Sequence, residues 1–126
     1  MDPKQEFQEL QDELEDIQDR IDDIDDKLAE AHELKNALEE LKEVEAGKEA
    51  LVPLSSGVFL QATLENTSTL HVNVGGGAVV EKDIDETQAM VDDHLEELRA
   101  ARSDVEQDYT RIVERADELS EHMHHV

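Results

Sequence analysis

An unbroken heptad repeat of apolar residues occupies the first part of the chain. Apolar side chains recur there in alternating steps of three and four, with polar residues between them, at Phe7, Leu10, Leu14, Ile17, Ile21, Ile24, Leu28 and Ala31. This spacing places them in one narrow stripe along a helix, as in a coiled coil. A disordered acidic tract has no reason to keep such a register. The pattern therefore predicts a long helix that packs against a partner.

The stripe goes on after one irregular step. Leu34 follows Ala31 by three residues where four are due, a stammer that overwinds a coiled coil locally, and the later members are Leu38, Leu41 and Val44. Gly47 is typical of a helix C-cap. We therefore predict an N-terminal coiled-coil helix within residues 1–47.

The last third mirrors the first. Asp83 followed by Glu86 indicates a helix start with an N-cap. A second heptad series follows, at Val91, Leu95, Leu98, Arg102, Val105, Tyr109, Ile112, Ala116, Leu119 and Met123. Arg102 alone breaks its apolar character, and a long side chain can pack its stem along the seam while its head reaches water. Residues 83–126 are thus predicted to form the antiparallel partner helix.

The middle of the chain changes its period from heptads to alternation. Within residues 50–82, apolar and polar positions alternate over 58–65 and 70–74, which predicts two strands. The runs 51–54 and 78–82 are interpreted as two more short strands, and Pro53 limits the first of these to a sheet edge or a strand start. Turn signals separate the runs at Ser55-Ser56-Gly57, Asn66-Thr67-Ser68 and Gly75-Gly76-Gly77. Four short strands joined by three tight turns make two β-hairpins. The predicted fold class is therefore α+β, a long two-helix coiled coil with two hairpins between the helices, in one domain over residues 1–126.

The strongly negative net charge argues against several classes of binding partner. The chain has 126 residues, 35 acids, 11 bases and a net charge of −24. Such a field repels phosphate, so we expect no nucleic-acid partner and no membrane partner. Cysteine is absent and the first residues are acidic and polar rather than typical of a signal peptide, so we expect a cytoplasmic protein.

No arrangement of residues points to catalysis or to a cofactor. The triple glycine at 75–77 lacks the Lys-Ser/Thr of a phosphate loop, and Asp22–Asp26 lacks the glycine of a calcium loop. His122, His124 and His125 could bind a divalent metal weakly, but a solvated chain end explains them more simply. We predict no enzyme activity, no cofactor and no metal site.

The hairpins predict oligomerisation. Fourteen of the 30 residues from 51 to 80 are apolar, and an isolated hairpin pair is marginally stable in water. We expect copies to assemble by strand pairing, with the helices as outward arms; the alternative is a lone helical hairpin with a small β cap. The residues expected to carry assembly are Val58, Phe59, Leu60, Leu64, Leu70, Val72, Val74, Val79 and Val80.

The chain resembles a known family over nearly its whole length. The run Leu51-Val52-Pro53-Leu54, the Gly57-Val58-Phe59-Leu60 strand, Val72-Asn73-Val74 with its three glycines, and Ile84-Asp85-Glu86 resemble the archaeal prefoldin α subunit. The resemblance implies two hairpins in an α-type chain, where a β-type chain has one. It also implies an ATP-independent holdase chaperone, a hexamer of two α and four β subunits with a β-barrel platform and six coiled-coil arms.

The resemblance further implies that unfolded proteins bind at the arm tips and pass to a group II chaperonin. By position, the client-binding residues are Phe7, Leu10, Leu14, Leu119, Met123 and Val126. One other function remains open from the residues alone, a structural coiled-coil tether or scaffold that oligomerises through its hairpins. An acidic mimic of nucleic acid is a third possibility, but heptad patterning explains the acids more simply. The acid excess also predicts a salt-requiring protein from a halophilic archaeon.

Overall fold

The computed structural model describes the backbone of residues 2–124 and the side chains of residues 2–123. Two long helices, α1 (Pro3–Leu41) and α2 (Ile84–His124), enclose four strands in the chain. The strands are β1 (Glu49–Ser55), β2 (Val58–Thr63), β3 (Thr69–Gly75) and β4 (Ala78–Asp83). Strand β1 pairs with β2 and β3 pairs with β4, both antiparallel, which gives two separate two-stranded sheets. This is the predicted α+β arrangement.

The chain divides into two compact units. One, here called the terminal unit, runs up to Ala31 and resumes at His94; the other, here called the hairpin unit, is His32–Asp93. Segments of α1 and α2 pair in each unit. In the hairpin unit, Lys35 Nζ lies 2.9 Å from Asp92 Oδ1 and Gln88 Nε2 donates to Glu39 Oε1 at 2.7 Å, so the two helical segments run antiparallel.

The core of the terminal unit lies in the predicted seam. Ile17, Ile21 and Val105 are buried, with 8% or less of each residue exposed. The residues packed against them are Ile24, Tyr109 and Ile112. All six are seam positions of the two heptad series, so the apolar stripes of α1 and α2 face one another here. Removing these side chains from water is the main favourable term for this unit.

Arg102, the polar residue in the seam, makes a bidentate bond across the helices. Its Nε donates to Asp25 Oδ1 at 2.6 Å and its Nη2 to Asp25 Oδ2 at 3.3 Å. It also pairs with Glu106 one turn along α2. The hydrogen bond from Arg102 lowers the pKa of Asp25 and raises the pKa of Arg102. The head of Arg102 therefore binds a carboxylate rather than only water.

The two hairpins share one layout. Hairpin A (β1–β2) turns at Ser56-Gly57 and hairpin B (β3–β4) at Gly76-Gly77, and all four turn residues have positive φ, between 50° and 80°. Positive φ at both central residues is the geometry of a type I′ hairpin turn. The pairing register shifts just before each turn, at Leu54 in hairpin A and at Val74 in hairpin B.

The start of α2 confirms the predicted N-cap. Asp83 Oδ1 accepts a hydrogen bond from the backbone N–H of Glu86 at 2.7 Å. The carbonyl of Asp83 accepts a second bond, from the hydroxyl of the buried Thr87 at 2.8 Å. The first of these bonds satisfies a backbone N–H group that a helix start leaves without an internal partner.

Helix α1 ends at Leu41, well before the predicted cap at Gly47. After Leu41 the backbone changes to a tighter turn, in which the N–H of Val44 donates to the carbonyl of Leu41 at 3.1 Å. The carbonyl of Val44 accepts a bond from the Thr67 hydroxyl at 3.0 Å, and the N–H of Gly47 donates to the Leu64 carbonyl at 2.7 Å. Bonds to the strand region thus replace helical ones. The prediction that the helix continues to a cap at Gly47 was wrong for this reason.

We predict a pH-dependent loss of stability in Asp25→Asn. Because the Arg102 bond holds the folded-state pKa of Asp25 below its unfolded value of about 3.9, the pair stabilises the fold above that value. This contribution is lost as the pH falls through the folded-state pKa. Wild type should therefore be more stable than the variant near neutral pH, with the two converging in acid, as measured by urea unfolding under circular dichroism.

Asp26→Asn is the matched control, because it removes the same charge from an exposed neighbour. A wild-type advantage over Asp25→Asn that stays constant down to strongly acidic pH, or that Asp26→Asn reproduces, would contradict the prediction.

Candidate functional site

The exposed apolar surface is concentrated on the hairpins. Ten large apolar side chains are exposed among the described residues, and all but Leu34 lie in residues 51–80. The hairpin members are Leu51, Val52, Leu54, Val58, Phe59, Leu60, Val74, Val79 and Val80. A continuous exposed apolar surface marks an interaction site in most proteins. The hairpins are therefore one candidate site.

Strand register places the apolar side chains on defined faces. In hairpin A, Val52 pairs with Leu60 and Ala50 with Ala62, so these four share one face. In hairpin B the corresponding pair is Val72 with Val80. The other face of hairpin A is not polar throughout, because Phe59, paired with Pro53, is 56% exposed there.

Six of the nine residues predicted to carry assembly are exposed: Val58, Phe59, Leu60, Val74, Val79 and Val80. The other three, Leu64, Leu70 and Val72, are half-buried. Three exposed members of this surface were missing from the prediction: Leu51, Val52 and Leu54. They flank Pro53 in the run Leu51-Val52-Pro53-Leu54, which is apolar throughout, so no alternation was available to select a face of this strand.

An apolar groove lies in the hairpin unit beside hairpin B. It has a volume of about 500 Å³, and its walls include Leu34, Leu41, Leu70, Val72 and Met90. Leu34 is 44% exposed and follows the stammer in the heptad series. An overwound step turns such a residue away from the seam, and here it lines the groove instead.

The predicted client-binding residues lie in or near the seam of the terminal unit. Leu119 is buried, at 7% exposure. Phe7, Leu10, Leu14 and Met123 are half-buried. The prediction for Val126 falls outside the described residues.

The two helix ends meet within the terminal unit. Met123 and His122 share an open cavity of about 220 Å³ with Asp2, Pro3 and Lys4. The sequence predicted that the free ends of the helices lie together, and this cavity places the start of α1 beside the end of α2.

An ion pair joins the helices near these ends, about one turn into α1 and more than two turns before the end of α2. Arg115 Nη2 donates to Glu6 Oε1 at 3.1 Å, while its Nη1 lies 3.5 Å from Glu118 Oε2 on the same helix. The hydrogen bond to Glu6 is the main reason that the pKa of Arg115 is raised. The spacing of charges along one helix gave no signal for this pair, because its partner lies at the opposite end of the chain.

The described residues contain neither a group of side chains placed to hold a metal ion nor a helix that could span a membrane. No group of three or more His, Cys, Asp or Glu side chains in residues 2–123 is arranged to hold a metal ion. Neither helix, over its described length, has an apolar stretch long enough to span a bilayer. The side chains of His124 and His125 lie outside the described residues.

Comparison with known proteins identifies the family. The family model for prefoldin subunits matches residues 4–126. With a match of this extent, the chain belongs to the prefoldin family.

The curated relatives are archaeal proteins named prefoldin subunit alpha. The chain is 34% identical over 79 residues to that of Methanopyrus kandleri, 32% over 83 to that of Thermofilum pendens and 36% over 74 to that of Pyrococcus horikoshii. These matches cover 63%, 66% and 58% of this chain. They span only 50%, 64% and 50% of the relatives' own lengths.

A solved structure has the same fold. The filamentous prefoldin of Methanocaldococcus jannaschii, determined by cryo-electron microscopy, superposes with a TM-score of 0.81 at 22% sequence identity. The match covers 91% of this chain and 95% of that one. At this identity the likeness establishes the arrangement of helices and hairpins.

Proposed function

We propose that this chain is an α-type prefoldin subunit, part of an ATP-independent chaperone that holds unfolded proteins. The observation that carries the proposal is the concentration of exposed apolar side chains on the two hairpins, within a family of prefoldin subunits. The α type is supported by two hairpins rather than one and by relatives named as alpha subunits. Its partners are β-type subunits, in a hexamer of two α and four β chains in the cytoplasm, and it delivers clients to a group II chaperonin.

Assembly through the hairpins follows from their exposed surface. Burying an exposed Val, Leu or Phe side chain completely stabilises a protein by about 1.5–3 kcal/mol. Nine such side chains are exposed in residues 51–80. Each two-stranded sheet also has unpaired strand edges, which favour pairing with further strands. Subunits that pair their hairpins cover both kinds of surface at once.

Leu60→Asp should block this assembly without unfolding the chain. Leu60 is 55% exposed, so the change costs little in the isolated fold but places a charge in the apolar contact. We expect the dissociation constant for assembly with a β-type subunit to rise about tenfold or more, measured by sedimentation, with helix content unchanged.

The matched control for Leu60→Asp is Asn66→Asp. It adds the same charge in the turn between the hairpins and keeps the side-chain oxygen that accepts bonds from Ser68 and Thr69. Equal weakening by both variants, or none by Leu60→Asp, would contradict assembly through this face.

Client capture at the helix ends requires their seam to open. Leu119 is buried and Phe7 is half-buried, so the closed seam offers little apolar surface. Fraying of the ends exposes these side chains, with Leu10, Leu14 and Met123, to unfolded clients, and Val126 remains a further proposed client-binding residue. Each site is weak, but several arms of one assembly bind one client together, and the later contacts are intramolecular. Handing the client to the chaperonin releases it without nucleotide.

Removing the helix ends tests capture directly. A chain lacking residues 1–14 and 113–126 retains the buried Ile17, Ile21 and Val105 and all four strands. We expect the assembly formed with a β-type subunit to persist but to lose most of its suppression of client aggregation, measured by light scattering without ATP. Full suppression by the truncated assembly would contradict capture at the ends and would favour a coiled-coil scaffold.

Point variants exclude the possibility that truncation acts only through instability. Phe7→Ser and Leu10→Ser change half-buried side chains near the end of α1, whereas Gln8→Ser changes an exposed residue between them. We expect the first two to weaken suppression several-fold more than the third, at equal helix content. Equal effects of the three would count against an apolar client site here.

We also propose that the protein requires high salt, as expected for a halophilic archaeon. Residues 51–80 carry one acid and no base, so nearly all of the net charge of −24 lies on the two helical segments. Self-repulsion on this scale opposes the compact state, and the Debye length falls to ~3 Å only in molar salt.

Helix content and assembly should therefore increase from low salt to molar KCl, measured by circular dichroism and sedimentation. A series in sucrose controls for general exclusion from the protein surface, because sucrose does not screen charge. Equal stability at low and molar KCl, or the same gain in sucrose, would contradict the salt requirement.

A further inference from the structure

The seam of the terminal unit is packed unevenly. Ile17, Ile21 and Val105 form a well-buried cluster, each at most 8% exposed. Towards the helix ends, Ala116 and Leu119 of α2 are still buried at 7% exposure, but the facing seam residues of α1, Leu14, Leu10 and Phe7, are only half-buried. Segments with few buried apolar contacts open more readily than the core beside them. Opening that begins at the helix ends should therefore stop at the cluster.

One ion pair holds this loosely packed part together. Among the described residues of 2–14 and 112–123, only Glu6 and Arg115 form an ion pair between α1 and α2, at 3.1 Å. The other charged groups of these stretches are mainly acids, at Asp2, Glu9, Asp12, Glu13, Glu114, Asp117, Glu118 and Glu121. Like charges on facing helices repel, so the attraction between Glu6 and Arg115 opposes a local tendency to separate.

We propose that the Glu6–Arg115 pair is a latch that holds the helix ends closed over the client-binding side chains. This inference rests on the proposed function, since it concerns the regulation of capture at the same ends. The latch is autoinhibitory. When it opens, Phe7 and Leu119 lose their cover, while the Ile17–Ile21–Val105 cluster keeps the rest of the unit paired.

The two sides of the latch are not equivalent. Glu6→Gln removes the cross-helix attraction but leaves Arg115 beside Glu118, which lies 3.5 Å away on α2. Arg115→Gln removes the attraction and also leaves Glu6 and Glu118 without their shared cation. We therefore expect Arg115→Gln to open the ends further than Glu6→Gln.

Hydrogen exchange of the full chain measures the opening. We expect amides in residues 5–14 and 113–122 to exchange about threefold faster in Glu6→Gln, the scale of one partly exposed ion pair, and faster again in Arg115→Gln. Amides next to Ile17, Ile21 and Val105 should not change. The difference between wild type and variants should shrink in molar KCl, because salt screens the pair.

Matched controls separate the latch from net charge. Glu9→Gln removes one acid from an exposed position of α1 that has no ion pair among the described residues. Arg111→Gln removes one base whose side chain is 74% exposed and pairs only with Asp108 on its own helix. The charge-reversed double variant, Glu6→Arg with Arg115→Glu, should restore slow exchange.

The outcomes distinguish the latch from capture itself. Faster exchange confined to the ends, restored by charge reversal and accompanied by stronger suppression of aggregation, supports the latch. Unchanged exchange in Glu6→Gln and Arg115→Gln, or equal acceleration in the controls, overturns it, even where truncation of the ends abolishes suppression. Faster amide exchange at the helix ends without stronger suppression of client aggregation also overturns the proposal that the latch regulates capture. In that case, the truncated chain shows whether the helix ends bind clients at all.

Discussion

The narrowness of the apolar stripe on each helix is the constraint on which the rest of the structure depends. Two such stripes are enough to bury a single seam, with Ile17, Ile21 and Val105 at its centre in the terminal unit. The remaining helix surface is polar and charged, as the hydration of so acidic a chain requires. The apolar side chains of the hairpins stay exposed, which is why we propose that subunits assemble through them.

Most of the fold was predictable from periodicity, because local patterns determine it. The heptad repeats predicted both helices, the strand patterning predicted the four strands, and the N-cap signal at Asp83 predicted the start of α2. The end of α1 was not predictable, since the carbonyl of Val44 bonds to Thr67, a residue far along the chain. Assembly residues followed from alternation, although Leu51 and its neighbours were missed, and the roles of the helix-end residues remain predictions. The cross-helix ion pairs depend on which residues face each other, and single-helix spacing does not encode this.

The few basic residues have a structural role in addition to reducing the net negative charge. The chain has 11 bases and 35 acids. Three of the bases join α1 to α2, Lys35 in the hairpin unit and Arg102 and Arg115 in the terminal unit, and Lys42, directly after α1, pairs with Asp85 of α2. Apolar heptads alone permit slippage by a whole repeat, whereas a charged pair at one position specifies the register. In each unit the ion pairs therefore contribute alignment, and the apolar seam contributes most of the stability.

We propose that the hairpins assemble the subunits and that the helix ends capture unfolded clients. Site-specific photo-crosslinking in the assembled complex tests it in one measurement, with the crosslinker placed at Phe7, at Phe59 or, as a control, at the exposed Glu9. The claim predicts that position 7 crosslinks to an unfolded client, position 59 to a neighbouring subunit, and position 9 to neither in quantity. Client crosslinked at position 59 and not at position 7 would contradict it.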